Sequence, residues 1–231
     1  MIRRPLFWLS VSIITMVASL AIIVFIRPVF GIDFTGGSLI EVNGNTNNIS
    51  EVRSILQDTF SLSATVQGTQ EQSLLIRTSP LDTETVNAIV STLKEKGVTD
   101  SDALRFESVG PTIGDELRSK AWQATSIVII IMLAYLAYTF RDVKGLVAPW
   151  KFGVATVIAL VHDLLFVTAL FAILGKLYGV TIDTLFVTAQ LAILGYSVND
   201  TIIIFNRVKT DWIRTRSHNL LEIIDGAVRS T

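Results

Sequence analysis

The sequence of 231 residues contains no cysteine and only two histidines, His162 and His218. Without cysteine the chain forms no disulfide, has no thiolate nucleophile and offers no thiolate ligand to a metal. Two histidines alone argue against a multi-histidine metal site. Charge is sparse and balanced, with 19 basic and 20 acidic residues, so no general field attracts nucleic acid. We expect no cofactor, no metal site and no nucleic-acid partner.

Long apolar runs are what the sequence has in excess, since half of its residues are hydrophobic. A helix needs about 20 apolar residues to cross the hydrocarbon core of a bilayer. Four runs reach that length, at residues 6–26, 121–140, 152–174 and 184–205. Ile26, Arg27 and Pro28 make a poor cleavage site, so the first run is predicted to remain as an anchor. The pattern predicts a polytopic α-helical membrane protein in contact with membrane lipid.

Basic residues beside these runs predict the orientation, because Lys and Arg near span ends stay on the cytoplasmic side. One side of the membrane has Arg3, Arg4, Arg141, Lys144, Lys151, Arg207, Lys209, Arg214 and Arg216. The other side has Arg27, Arg118, Lys120 and Lys176. Both termini are therefore predicted to be cytoplasmic. The predicted layout is a cytoplasmic N-terminus with the first span (1–30), an extracytoplasmic domain (31–120), three spans (121–206) and a cytoplasmic segment (207–231).

The extracytoplasmic segment alternates between strand-like and helix-like patterns, with turn residues between them. Strands are predicted at 38–42, 64–67, 73–77 and 103–108, and helices at 49–60 and 82–96. The order β-α-β-β-α-β is that of a ferredoxin-like α+β domain, in which two helices cover one face of a sheet. The segment has no nucleophile-base pair and no phosphate-binding loop. We expect it to make contacts, and we do not expect the protein to be an enzyme.

Two glycine-containing motifs flank this domain. Residues 31–37 read GIDFTGG and supply the candidate residues Asp33, Gly36 and Gly37. Paired glycines permit tight backbone geometry, and by themselves they favour a simple turn. Residues 109–117 read VGPTIGDEL and supply Gly110, Pro111 and Gly114.

Polar motifs interrupt the third and fourth apolar runs. Residues 160–163 read LVHD and contain His162 and Asp163. Residues 195–200 read GYSVND and contain Gly195, Tyr196, Ser197, Asn199 and Asp200. A charge at the bilayer centre costs at least about 2.5 to 3.5 kcal/mol, so an ionisable group within a span indicates a functional role by default.

These four motifs, in this order along nearly the whole chain, resemble the signatures of the SecD/SecF family of protein-export membrane subunits. GIDFTGG resembles the signature of the SecF branch. The resemblance implies a transmembrane architecture of the resistance-nodulation-division (RND) type in the bacterial plasma (inner) membrane. Because the SecF branch normally has six spans, it also implies that this chain is truncated after its fourth span, with spans five and six absent.

The resemblance further implies a role and a set of partners. A SecF-type subunit acts with SecD and uses the proton or sodium motive force to promote export of unfolded secretory polypeptides through the SecYEG translocon. YajC and YidC are further partners that the resemblance implies.

Asp200 is the best candidate for ion coupling. It falls on one helical stripe with Gln190 and Ser197, which is expected to line an interior polar path. From the residues alone, a neutral carboxylic acid hydrogen-bonded between helices is an equally good interpretation. The resemblance favours proton carriage, because the coupling aspartate of the family occupies this motif.

His162 and Asp163 are predicted to extend a proton relay towards Asp200, with Asn199 beside it. The alternative is an interhelical hydrogen-bonded pair that fixes the packing of two spans.

Two other functions stay open at this stage. One is an RND-type small-molecule efflux transporter, although the small external domain lacks the signature of a large apolar pocket. The other is a non-transporting membrane scaffold, which predicts that the intramembrane aspartates can be neutralised without consequence.

Overall fold

A computed structural model describes residues 5–45, 48–69, 72–141, 148–215 and 220–230. Within these ranges the elements are α1 (Pro5–Ile26), α2 (Ile32–Thr35), β1 (Gly37–Asn43), α3 (Ile49–Phe60), β2 (Thr65–Gly68), β3 (Ser73–Thr78), α4 (Thr83–Glu95), β4 (Arg105–Val109), α5 (Pro111–Thr139), α6 (Pro149–Tyr178), α7 (Thr184–Thr215) and α8 (Leu220–Ser230). The residues Arg3, Arg4, Lys144, Arg216 and His218 lie outside the described ranges.

The chain divides into two compact units. The helical unit consists of Met1–Val29, Trp122–Val180 and Leu185–Thr231. The sheet unit consists of Phe30–Ala121 together with Thr181–Thr184, the short connection that leads into α7. The first residue of α7 therefore belongs to the sheet unit, whereas the rest of that helix belongs to the helical unit.

Four helices of the described chain are long and apolar enough to cross a membrane, namely α1, α5, α6 and α7. They correspond to the four apolar runs, so the prediction of a polytopic helical protein is confirmed. Helix α5 begins at Pro111, about ten residues before the predicted run, and α7 extends beyond its run to Thr215. Proline is well accommodated in the first turn of a helix, and polar residues can continue a helix outside the apolar layer.

Aromatic and aliphatic side chains join the helices of the helical unit. The rings of Phe140 and Phe152 stack with centroids 4.8 Å apart, and Phe205 packs edge-on against both. A second cluster joins Leu160 of α6 to Leu194 and Val198 of α7. Helix α7 is thus packed against α6 along the stretch that carries the GYSVND motif.

The sheet unit contains a four-stranded antiparallel sheet in the order β2-β3-β1-β4. Ile40 in the central strand β1 pairs with Ile76 on one side and with Phe106 on the other. This order and the element sequence β-α-β-β-α-β are those of a ferredoxin-like unit, as predicted. Helix α3 has the predicted bounds, and the four strands begin and end within two residues of the predicted positions.

The core of the sheet unit lies between the sheet and the two helices α3 and α4. Its fully or nearly fully buried side chains are Ile40, Val42, Val52, Leu56, Leu74, Ile76, Val86, Ile89 and Leu93. The helix residues recur at intervals of three and four, and the strand residues alternate, as burial of one face requires. Asp82 caps α4, because its Oδ1 accepts the N–H of Thr85 at 2.8 Å. Hydrogen bonding from the side chain of Thr85, and next from its backbone, lowers the pKa of the Asp82 carboxyl.

Leu74→Ala is expected to lower the free energy of unfolding of the sheet unit by about 2 to 5 kcal/mol, the range for a buried leucine that leaves a cavity. Leu74 is fully buried at the centre of the core. Pulse proteolysis of the purified protein in detergent, across a urea series, measures the change. Leu104→Ala is the matched control, because Leu104 is 55% exposed. Equal destabilisation by the two substitutions would contradict the position of the core.

Candidate functional site

The GIDFTGG segment follows α1 after a short connection and contains the single helical turn α2. The carbonyl of Gly31 accepts the N–H groups of Phe34 and Thr35 at 3.1 and 3.2 Å, and the carbonyl of Ile32 accepts the N–H of Gly36 at 2.9 Å. The side chains of Ile32 and Phe34 are buried. The backbone around Asp33 is therefore held on both sides.

The carboxylate of Asp33 contacts the start of α7, which lies 151 residues later in the sequence. Its Oδ2 accepts the backbone N–H of Thr184 at 2.9 Å and the hydroxyl of the same residue at 2.6 Å. The first N–H groups of a helix have no partner within the helix, so a carboxylate at this position acts as a cap. The sequence pattern at 31–37 indicates a turn, and no local signal pairs Asp33 with Thr184.

Three glycines allow backbones to approach closely here. A Cβ on Gly37 would lie 2.6 Å from the carbonyl oxygen of Thr78, and φ at Gly37 is +127°. A Cβ on Gly36 would lie 3.0 Å from the Cα of Pro111, and one on Gly114 would lie 2.9 Å from the N of Gly36. The GIDFTGG and VGPTIGDEL motifs therefore pack against each other, main chain to main chain.

Gly110 differs from these three glycines, because a Cβ there would meet no atom within 4 Å. Its carbonyl instead accepts the N–H groups of Ile113 and Gly114, both at 3.1 Å, at the start of α5. Gly110 and Pro111 thus begin a helix, whereas Gly114 makes the close contact with the first motif.

A polar cluster joins α6 to α7 within the helical unit. Asp163 accepts the hydroxyl of Ser197 at 2.7 Å through Oδ2, and its Oδ1 lies 3.1 Å from Nδ1 of His162. The side chains of His162 and Asp163 are 27% and 39% exposed. The structure therefore brings together one candidate from α7 and two from α6, next to the apolar cluster around Leu194 and Val198.

Gln190 makes a second polar link between the same two helices. Its Nε2 donates to Oγ1 of Thr168 at 3.1 Å, and its side chain is buried. Its Oε1 is buried without a hydrogen-bond partner among the described residues. Gln190 and Ser197 thus both face α6.

Asp200 is exposed in the described chain, whereas Gln190 is buried and Ser197 is partly buried, and the polar path that these three residues are predicted to line stays a prediction. Asp200 and Asn199 are exposed in the described chain, as is Tyr196 at 76%. Three residues rotate a helix by about 300°, so Asp200 points about 60° away from Ser197. A Cβ on Gly195 would also meet no atom within 4 Å. This face of α7 is not covered by other described residues.

No group of three or more His, Asp or Glu side chains among the described residues is arranged to hold a metal ion. The candidate chemistry of the helical unit is proton transfer and hydrogen bonding. The candidate role of the GIDFTGG segment is the fixing of a helix end.

Two family profiles match the chain. The profile described as "Protein export membrane protein SecD/SecF, C-terminal" matches residues 88–231. The profile described as "SecD/SecF GG Motif" matches residues 21–43, which include the capping aspartate.

Individual relatives and solved structures agree with the profiles. A protein translocase subunit SecF from Anaerolinea thermophila is 30% identical, over 99% of this chain and 76% of the relative. The SecF of Helicobacter pylori is 32% identical over 96% of this chain and 66% of the relative. The crystal structure of SecDF from Thermus thermophilus, a translocon-associated membrane protein, superposes with a TM-score of 0.79 at 25% identity, over 95% of this chain and 29% of that chain. The chain belongs to the SecF branch of the SecD/SecF family of protein-export membrane proteins.

Proposed function

We propose that this protein is a SecF-type subunit that works with a SecD partner to promote export of unfolded polypeptides through the SecYEG translocon. The observation that carries the proposal is the match to SecF relatives along 96% to 99% of this chain. Those relatives are named protein translocase subunits, and the superposed structure joins SecD and SecF. Since the chain spans 76% and 66% of two such relatives, the activity and the partners of the whole protein are part of the proposal.

The energy source of the proposed function is the proton or sodium motive force, with Asp200 as the coupling residue. One charge that moves through 100 mV gains about 2.3 kcal/mol, enough to shift a conformational equilibrium about fifty-fold. Asp200 follows Ser197 by one turn of α7, and Ser197 is hydrogen-bonded to Asp163. His162, Asp163 and Asn199 are the further members of the proposed relay.

The sheet unit is the proposed mechanical part. We propose that it lies outside the cytoplasm of a bacterial cell, with the spanning helices in the inner membrane and residues 1 and 231 on the cytoplasmic side. A change in helix packing on protonation of Asp200 would move this unit, which would then pull on an emerging polypeptide or block its return. The protein acts by contact and is not proposed to be an enzyme.

The test is complementation of bacterial cells depleted of their own SecF. Cells that produce the whole protein are expected to export a pulse-labelled secretory precursor at close to the normal rate. Depleted cells with an empty vector are the control. Collapse of the proton gradient, and separately of the sodium gradient, identifies the coupled ion. Failure to restore export, by a protein that accumulates in the membrane and co-purifies with SecD, would refute the proposal. Export that is restored but indifferent to both gradients would favour a scaffold.

A further inference from the structure

The connection between α6 and α7 is anchored by backbone contacts to the GIDFTGG segment. Phe30 and Ile182 form a parallel bridge, and the N–H of Gly31 donates to the carbonyl of Ile182 at 2.8 Å. Ile182 is also buried. Residues 181–184 therefore have a fixed position next to residues 30–33, within the sheet unit.

The side chain of Asp33 adds a charged cap to this anchor. Both of its bonds to Thr184 are formed by one carboxylate oxygen, at 2.9 Å to the N–H and 2.6 Å to the hydroxyl. A carboxylate is favoured beside the N-terminus of a helix, where unpaired N–H groups concentrate positive potential. Hydrogen bonds to an ionised acceptor are also roughly twice as strong as neutral ones. The cap of α7 thus comes from a distant part of the chain.

The aspartate has little freedom to follow a moving helix. Its turn is held by the carbonyl of Gly31 and by the buried side chains of Ile32 and Phe34. Gly114 packs so closely against the end of this turn that a Cβ there would lie 2.9 Å from the N of Gly36. A displacement of the GIDFTGG backbone therefore has to move Thr184 or break the cap.

We propose that Asp33 is a positioning residue, whose carboxylate fastens the start of α7 to the GIDFTGG segment and thereby sets the position of the helix that carries Asp200. Helix α7 is continuous from Thr184, and Asp200 lies 16 residues further along, about 24 Å by helix rise. A shift at the cap is transmitted along the helix. The link to export rests on the proposed function, whereas the cap itself does not.

The first test is hydrogen exchange of the whole protein in lipid nanodiscs, followed in a peptide that covers residues 181–190. Asp33→Ala is expected to speed exchange there about 2- to 30-fold, the range for loss of a capping side chain. Asp33→Asn keeps an acceptor oxygen and should restore most of the protection. The matched control is Asp58→Ala, because Asp58 is an exposed aspartate of the same unit, on α3. Exchange in β1 should stay unchanged in all three variants.

A double mutant separates the cap from a general loss of stability. Thr184→Val removes the hydroxyl and retains the shape of the side chain. If the two side chains act as one unit, Thr184→Val speeds exchange in the native background but adds little to Asp33→Ala. If the effects of the two substitutions on exchange add up, or if exchange in β1 accelerates as much as exchange at 181–190, then Asp33 does not cap α7.

Export in depleted cells then tests the positioning role. Asp33→Ala is expected to reduce gradient-dependent export, and Asp33→Asn to restore it at the same protein abundance. Normal export by Asp33→Ala, with faster exchange at 181–190, would overturn the positioning role and leave the cap. If the unsubstituted protein restores no export, the proposed function fails, and the exchange measurements still decide the cap.

Discussion

Asp200→Asn is expected to abolish the part of export that depends on the ion gradient, while the protein accumulates normally in the membrane. Asparagine has nearly the same shape as aspartate but cannot be ionised or carry a proton. Asp200 is exposed on α7 and has no hydrogen-bond partner among the described residues, so the substitution removes little packing. The loss of export would therefore come from the loss of charge. Pulse-labelling of a secretory precursor in SecF-depleted cells, with and without collapse of the gradient, measures it.

A matched control for Asp200→Asn lies on the same helix. Asp211 pairs with Arg207 at 3.2 Å, one turn apart, and a partly exposed surface pair of this kind contributes little to stability. Asp211→Asn is expected to leave export unchanged. Unimpaired export by Asp200→Asn would leave the family assignment intact, but it would exclude Asp200 as the coupling residue and remove the relay.

Gly37→Ala is expected to lower the free energy of unfolding of the sheet unit more than the substitution of any exposed residue in that unit. The backbone of Gly37 has φ of +127°, a region that side chains rarely adopt, and such strain costs about 1 to 3 kcal/mol. The new methyl group would also lie 2.6 Å from the carbonyl oxygen of Thr78, which belongs to the neighbouring strand β3. Because the new methyl group and this carbonyl oxygen belong to neighbouring strands, the clash can be relieved only if β1 and β3 move apart.

Gly97→Ala distinguishes the two causes of this instability. Gly97 also has positive φ, at +72°, but a Cβ there would meet no atom within 4 Å. Its φ is close to the left-handed region that some side chains adopt, so a substitution there brings a milder strain and no clash. Pulse proteolysis in detergent is expected to show a larger loss of unfolding free energy for Gly37→Ala than for Gly97→Ala. Equal losses of unfolding free energy would mean that β1 and β3 move apart at no cost, and would contradict the predicted clash.

Periodic patterns predicted most of the secondary structure because burial of one face leaves a direct mark on the sequence. The apolar residues of α3, at intervals of three and four, placed that helix at Ile49–Phe60, as the structure has it. The start of α5 was missed because residues 111–120 are mostly polar and carry no apolar run. Its first turns are instead fixed by Pro111 and by the carbonyl of Gly110.

The candidate sites were predictable as residues but not as contacts. The pairing of Asp163 with Ser197 depends on the rotation of α6 against α7, which a single sequence does not encode at the level of one side chain. The role of Asp33 depends on a tertiary contact with Thr184, so local turn propensity could only indicate a bend. The exposure of Asp200 likewise depends on which faces of α7 are packed against other helices. The helical periodicity of the sequence indicated only approximately where around α7 its side chain lies.

The distance along the chain between Asp33 and Thr184 also orders events during biosynthesis. A ribosome that adds about 5 to 20 residues per second makes Thr184 roughly 8 to 30 s after Asp33. All four strands of the sheet are synthesised in that interval, so the sheet can form before Thr184 is available to bond to Asp33. The bonds between Asp33 and the start of α7 can form only after all four strands have been synthesised, so they belong to a late step of assembly.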